Sequence, residues 1–129
     1  MSYNSMKKTL DLTTEQADAR VREELQKEGF GVLTEIDVKG TLKEKLDVDF
    51  RPYRILGACN PSLAHQALST ETDIGLLLPC NVVVYEGAGG GSVVSIMDPV
   101  EQLAVAGRDD MEPLATEVRT RMERVLEAL

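Results

Sequence analysis

Tyr53-Arg54-Ile55-Leu56-Gly57-Ala58-Cys59-Asn60-Pro61 is the stretch around which the rest of the sequence is arranged. Its apolar run predicts a strand over Tyr53 to Ala58. Asn60 and Pro61 then predict the start of a helix, because asparagine is a favourable cap and proline suits the first helical position. A strand end, a helix N-terminus and the reactive side chain of Cys59 are therefore expected to meet here.

Two elements are predicted at the beginning of the chain. Weak alternation indicates a first strand within Ser2 to Leu10. A capping box formed by Thr13 and Gln16 starts a helix that Gly29 ends. Its apolar face is expected to repeat every four residues, with the charged residues on the other faces: Ala17, Val21 and Leu25 on the first, and Glu15, Asp18, Arg22, Glu23 and Lys27 on the others.

A second strand and a short helix are predicted before the central stretch. Phe30 to Val38 alternates as a strand. One of its faces should carry Val32, Thr34 and Ile36, and the other Leu33, Glu35 and Asp37. A second capping box, Thr41 with Glu44, is expected to start a helix that ends near Asp47.

After the central stretch the sequence predicts a helix, a hairpin and two more helices. The first helix runs to about Thr70, with Leu63, Ala64, Ala67 and Leu68 as its buried stripe. Strands over Asn81 to Glu86 and Ser92 to Met97 flank a glycine-rich loop, which predicts a hairpin. Asp98 with Pro99 starts a helix that Gly107 ends, and Asp109 with Glu112 starts the last helix.

This order of elements favours a single α+β domain over residues 1–129, with a largely antiparallel sheet and helices packed on one face. Apolar strands such as Val82 to Val84 should not face water on both sides. We therefore expect a second copy of the chain or a small-molecule ligand to cover the open face of the sheet.

The composition excludes some classes of function. A formal charge of -8 repels phosphates, so no nucleic-acid partner is expected. The sequence has neither a signal-peptide pattern nor an apolar stretch of membrane-spanning length, so we expect no membrane partner and a cytoplasmic location. The two cysteines are expected to be free thiols, and no pattern indicates a cofactor.

Cys59, Cys80 and His65 are the candidate catalytic residues. If the strands that contain the cysteines run antiparallel, the end of one lies beside the start of the other. His65 lies in the first turns of the helix after Cys59. Three interpretations stay open: buried structural cysteines, a thiol-redox pair with His65 as a base, or three ligands of a metal ion.

A second group of polar residues lies in or beside the predicted strands. Arg51 and Arg54 could hold a carboxylate or phosphate through their forked donors, with Glu35 as the orienting partner. Tyr53 and Asn60 complete the candidate ligand-binding residues. The alternative is that these side chains form exposed ion pairs on a solvated face.

Three blocks of sequence resemble the domain of unknown function family 302: Leu33 to Val38, Tyr53 to Pro61 and Leu77 to Val84. The resemblance spans about Glu15 to Gly107. It implies a small α+β fold of the TATA-binding-protein-like kind, often dimeric, but it carries no assigned activity, since a shared fold does not determine function.

The sequence therefore predicts a dimeric small-molecule-binding or accessory protein, with its site near Cys59 and Cys80 on a concave sheet face. A thiol-redox protein or a metal-binding protein that uses Cys59, Cys80 and His65 is the alternative. The sequence does not decide whether the protein is an enzyme.

Overall fold

The computed structural model describes residues 5–129, in which five strands form one sheet. The strands are β1 (Ser5–Leu10), β2 (Gly31–Asp37), β3 (Tyr53–Cys59), β4 (Cys80–Glu86) and β5 (Ser92–Met97). Their order in the sheet is β1-β5-β4-β3-β2, and all neighbours are antiparallel. The α+β class with an antiparallel sheet is thus confirmed. The predicted start of the first strand, residues 2–4, lies outside the described residues.

The helices are α1 (Thr14–Lys27), α2 (Val38–Leu46), α3 (Pro61–Thr70), α4 (Pro99–Ala104) and α5 (Glu112–Ala128). Two short 3-10 helices, Thr72–Leu77 and Asp109–Met111, connect α3 to β4 and α4 to α5. Residues 5–129 contain no helix with the length and hydropathy needed to cross a membrane.

The main hydrophobic core lies between one face of the sheet and the two long helices. Alternate strand residues enter this core because successive side chains of a strand point to opposite faces. The strands contribute Leu56, Ala58, Val82, Val84, Val94 and Ile96, α1 contributes Ala17, Val21 and Leu25, and α5 contributes Val118, Met122 and Val125. The predicted apolar face of α1 and the packing of helices on one face are confirmed.

The register of the strands defines the opposite, open face of the sheet. Ile55 pairs with Val83, and Tyr53 pairs with Tyr85, both on this face. The rings of Tyr53 and Tyr85 stack with centroids 5.1 Å apart. These residues are only partly buried in the monomer, so the open face carries apolar side chains that no element of the described chain covers.

A bulge in β2 corrects the predicted faces of this strand. Val32 pairs with Ala58, but Thr34 pairs with the next residue, Gly57, so Leu33 is the extra residue. An extra residue reverses the alternation of a strand. Val32 therefore packs against the core, whereas Thr34 and Ile36 lie on the open face.

Three predicted helix ends were wrong. Asp37, not Thr41, caps α2, because its side chain accepts a 3.0 Å hydrogen bond from the Gly40 amide. Asp109 lies in a 3-10 turn, and α5 follows without a side-chain cap. Helix α4 ends at Ala104 rather than at Gly107. Sequence patterns that resemble helix caps recur by chance in a sequence rich in acidic residues. The end of the preceding strand determines which of them begins a helix.

Two face assignments on the helices also need correction. Asp18 is buried, although its charge placed it on the solvated side of α1. Leu68 of α3 is 42% exposed and Ala64 is partly buried, so the buried stripe of α3 reduces to Leu63 and Ala67. In both helices a neighbouring cavity or ion pair, rather than helical periodicity, determines burial.

We expect Gly57→Ala to lower the free energy of unfolding by about 1–3 kcal/mol, because overpacking displaces neighbouring groups. A Cβ atom at Gly57 would lie 2.8 Å from Cγ of Pro79 and would also collide with Oγ1 of Thr34. Gly31→Ala on β2 is the matched control, because its Cβ would meet no atom within 4 Å. Urea unfolding of both variants measures the difference, and equal stability of the two would contradict the expectation.

Candidate functional site

An apolar cavity of about 340 Å³ lies where β3 ends and β4 begins. We call it the cysteine cavity, because both cysteines line it. Most of its wall is aliphatic: Leu33, Leu63, Leu68, Leu78, Leu103, Leu114 and Val118. The cavity extends around the end of the sheet to residues of α3 and α5, whereas the sequence analysis expected a concave sheet face near Cys59 and Cys80.

The junction between β3 and α3 fixes one wall of the cavity. The side-chain oxygen of Asn60 accepts a 3.2 Å hydrogen bond from the Leu63 amide, which caps α3 as predicted. The Asn60 amide group also donates to the backbone oxygen of Glu28 at 3.4 Å. Asn60 therefore lines the cavity, but its polar atoms already have partners within the fold.

Pairing of β3 with β4 brings the cysteines to neighbouring positions. Ala58 is directly opposite Cys80, and Cys59 follows Ala58 at the end of the strand. Both thiols are free and partly buried. The expectation that the end of β3 lies beside the start of β4 is confirmed, whereas close approach of the two thiols and a role for either residue in catalysis stay predictions.

Burial, and to a lesser extent the nearby Cys59, raise the pKa of the Cys80 thiol to about 11, since two thiolates would repel each other. At neutral pH Cys80 is therefore almost entirely protonated. A protonated thiol is a weak nucleophile and a poor metal ligand. Cys80 thus contributes to the cavity as a small apolar group.

His65 lies apart from the cysteines. It is exposed on α3 and is absent from the wall of the cysteine cavity. Across residues 5–129 no three side chains of histidine, cysteine, aspartate or glutamate come together as a potential metal site. The structure therefore does not bring Cys59, His65 and Cys80 together as ligands of one metal ion, and metal binding by these residues stays a prediction.

Glu35 and Arg54 meet on the helix-covered side of the sheet, in an ion-pair network with two residues of α1. Asp18 lies 2.7 Å from Nε of Arg22 and 3.4 Å from an Nη atom of Arg54. Glu35 lies 3.2 Å from Arg22 and 3.9 Å from Arg54. The hydrogen bond that Nε of Arg22 donates to the Asp18 carboxylate raises the pKa of Arg22. The network balances two cations with two carboxylates, so Arg54 is already paired.

Arg51 and Tyr53 do not join this network. Arg51 is exposed and makes one long contact of 3.5 Å with the backbone oxygen of Glu86. Tyr53 lies on the open face against Tyr85, where burial and then the neighbouring phenol raise its pKa. The predicted carboxylate or phosphate clamp of Arg51, Arg54 and Glu35 therefore lacks a convergent set of free donors.

A larger polar groove of about 710 Å³ lies at the other end of the sheet, beside the start of α1. Its two cations are engaged, since Arg54 is paired with Asp18 and Lys39 donates to the backbone oxygen of Phe50 at 3.0 Å. Thr13 and Gln16 form the predicted capping box that closes the start of α1. We therefore place the candidate site at the smaller cysteine cavity, whose described wall residues carry no charge and form no ion pair.

Sequence reasoning missed two features of this region. The spacing of Asp18 and Arg22 is that of a helical ion pair and could have indicated that Asp18 has a partner, although not that Arg54 completes its burial. The cavity itself has no sequence signal. The cavity exists because small residues face large aliphatic residues that come from separate elements. The small residues are Ala58, Ala64, Ala67 and Gly75.

Comparison with known proteins identifies relatives but no activity. The family model "Domain of unknown function DUF302" matches residues 6–129. The crystal structure of an uncharacterized conserved protein DUF302 from Bacillus stearothermophilus is similar, with 27% sequence identity and a TM-score of 0.90. The match covers 98% of each chain. No protein with a curated description matches this sequence.

We expect Cys80 to react with iodoacetamide far more slowly than an exposed cysteine. In a Cys59→Ser variant the rate should rise about tenfold per pH unit from pH 8 to 10, because a pKa of about 11 leaves little thiolate. The control is Ser69→Cys in a chain without the native cysteines, since Ser69 is exposed on α3. At pH 8 it should react on the order of a hundredfold faster. A Cys80 rate that levels off near pH 9 would refute the high pKa.

Proposed function

Since the chain belongs to the DUF302 family, whose function is unknown, we propose its function from the geometry of its own site. The protein binds a small molecule in the cysteine cavity and acts in the cytoplasm as a binding or accessory protein. The single observation that carries this proposal is a cavity of ligand size with an almost wholly apolar wall.

The size and chemistry of the cavity support binding. Ligand sites are typically concave spaces of about 300–1,000 Å³ with mostly apolar walls and a few polar groups. The cysteine cavity has about 340 Å³, and Thr34, Cys59 and Asn60 are among its few polar residues. An apolar molecule that enters it leaves water at a gain of about 25 cal/mol for each Å² of surface buried.

The surroundings of the cavity favour binding over catalysis. Acid–base chemistry needs a titratable group within hydrogen-bond reach of the substrate. None of the described lining residues is a histidine, aspartate, glutamate, lysine or arginine. The thiol-redox alternative retains one supporting observation, the free thiols of Cys59 and Cys80 in the wall of one cavity, but His65 does not line that cavity.

We expect Ala64→Phe to weaken ligand binding at least tenfold, because the added ring occupies much of the cavity that Ala64 lines. The test uses N-phenyl-1-naphthylamine, a neutral probe whose fluorescence rises in apolar surroundings. Ala19→Phe is the matched control, since Ala19 is exposed on α1. The probe should bind the wild type and the control alike, and Ala64→Phe at least tenfold more weakly. If the wild type binds neither this probe nor a straight-chain alkanol, 1-octanol, in calorimetry, the proposed function is overturned.

A homodimer formed through the open face is the second part of the proposal. Among the described residues Lys7 is the one charged side chain that the strand register places on this face. A chain with a net charge of -8 repels its own copies, and the register places no carboxylate of the described strands on this face to add to that repulsion. A second copy is therefore the occupant that its chemistry suits.

The area of the open face is sufficient for a small interface. Strands of six or seven residues span a face of about 20 by 20 Å when they are spaced about 4.8 Å apart. The ring of Phe50 extends this face, with its centroid 6.2 Å from that of Tyr53. Because the side chains project from the sheet, the accessible area of the face is larger than this flat outline. It approaches about 600 Å², the area that each partner buries in the smaller stable interfaces.

We expect Val83→Lys to convert a dimer into a monomer of 14.1 kDa, because it places a charge on the central strand of the open face. Val105→Lys is the matched control, since Val105 is 74% exposed after α4 and away from this face. Analytical ultracentrifugation should show wild type and control at twice the monomer mass. A monomeric wild type at all concentrations would contradict the proposed dimer and leave the cavity proposal intact.

A further inference from the structure

We infer that the ligand of the cysteine cavity is an uncharged aliphatic chain, such as the alkyl or isoprenoid part of a neutral amphipathic molecule, with its polar end at the rim. This inference rests on the proposed function and names the class of molecule that the same cavity accepts. It follows from the charge of the wall, the kind of apolar side chain in it, and the exposure of its rim.

The wall excludes charged groups from the interior. Its described residues carry no charge, so a buried carboxylate or ammonium would lose its hydration without gaining a partner. Asn60 offers little compensation, because its oxygen is bound by the Leu63 amide and its NH₂ group donates to Glu28. The enclosed part of the ligand is therefore uncharged and needs few hydrogen bonds.

The apolar part of the wall favours a flexible chain over a flat ring. Leucine, valine and alanine side chains from β3, α3, α4 and α5 surround the space, and Phe30 is the one aromatic residue among the described lining residues. Phe30 is itself buried in the main core. A planar aromatic ligand would find little of the stacking that stabilises aromatic pairs, whereas an alkyl chain can follow an irregular aliphatic surface.

The rim shows where the polar end of the ligand lies. Leu33 is 69% exposed and Leu68 is 42% exposed, and both line the cavity from its outer side. An aliphatic ligand that leaves the cavity past these two leucines covers their side chains and removes them from water. The exposed hydroxyl-bearing residue Thr34 is the polar neighbour at this edge. The net charge of -8 disfavours an anionic end group there.

A chain-length series tests this inference. Straight 1-alkanols from butanol to dodecanol compete with N-phenyl-1-naphthylamine for the wild-type protein. Affinity should increase about fourfold for each added CH₂ group, because each buried group adds a similar transfer free energy. The increase should stop at the length that fills the cavity. An alkanoate of the same length should bind more weakly than the alkanol.

Cavity-filling variants locate the chain. In Ala64→Leu, affinity should stop increasing at a shorter alkanol than in the wild type, because the larger side chain occupies part of the same space. Ala64→Phe should show the same change where its residual binding is measurable. Ala64→Leu is the milder change and keeps the test informative if the Phe variant folds poorly. Ala19→Phe, on the exposed side of α1, should leave the series unchanged.

Four outcomes would overturn the inference. If the probe binds but no alkanol displaces it, the proposed function stands and the aliphatic class fails. If affinity increases without limit and equally in Ala64→Leu, the chains adsorb to the surface rather than enter the cavity. If alkanoates bind more tightly than alkanols, a cation recognises the ligand and its end group is not neutral. If neither the probe nor any chain binds, the proposed function fails as well.

Discussion

The antiparallel pairing of β3 with β4 is the constraint on which the other features of the molecule depend. Its register sets Leu56 against Val82 on the core side and Ile55 against Val83 on the open side. The backbone groups of these central strands need hydrogen-bond partners once they are buried, and the ladder supplies them. A slip of one residue would exchange the two faces. The same register ends at Ala58 and Cys80, which creates the boundary of the cysteine cavity.

The two ends of this sheet solve different problems of burial. At the end that carries Arg54, the buried carboxylate of Asp18 is stable because two guanidinium groups surround it. At the end that carries Cys59, the side chains are apolar and no internal ion pair fills the space between them. The charged groups at the polar end are therefore paired with each other and not free to bind a ligand. The apolar end is left with volume for another molecule.

The sequence was sufficient for the elements but not for the site. Periodicity located α1 and the glycine loop located the β4–β5 hairpin, because both signals are local. Asp18 was misplaced because its burial depends on Arg54, which is distant in sequence and close only after β3 packs beside α1. The separation of His65 from the cysteines depends on which side of α3 faces the sheet. The cavity depends on how closely α3, α5 and the sheet approach, a property that no single segment encodes.

The bulge at Leu33 has a consequence for how relatives of this chain can differ. Strand β2 lies at the edge of the sheet and pairs only with β3. An inserted or deleted residue there changes the side chains at the rim while the pairing of the other four strands stays the same. Edge strands tolerate such changes because they disturb one ladder rather than two. The side chains at the rim of the cysteine cavity can therefore change by single-residue insertions or deletions in β2, with the core sequence held constant.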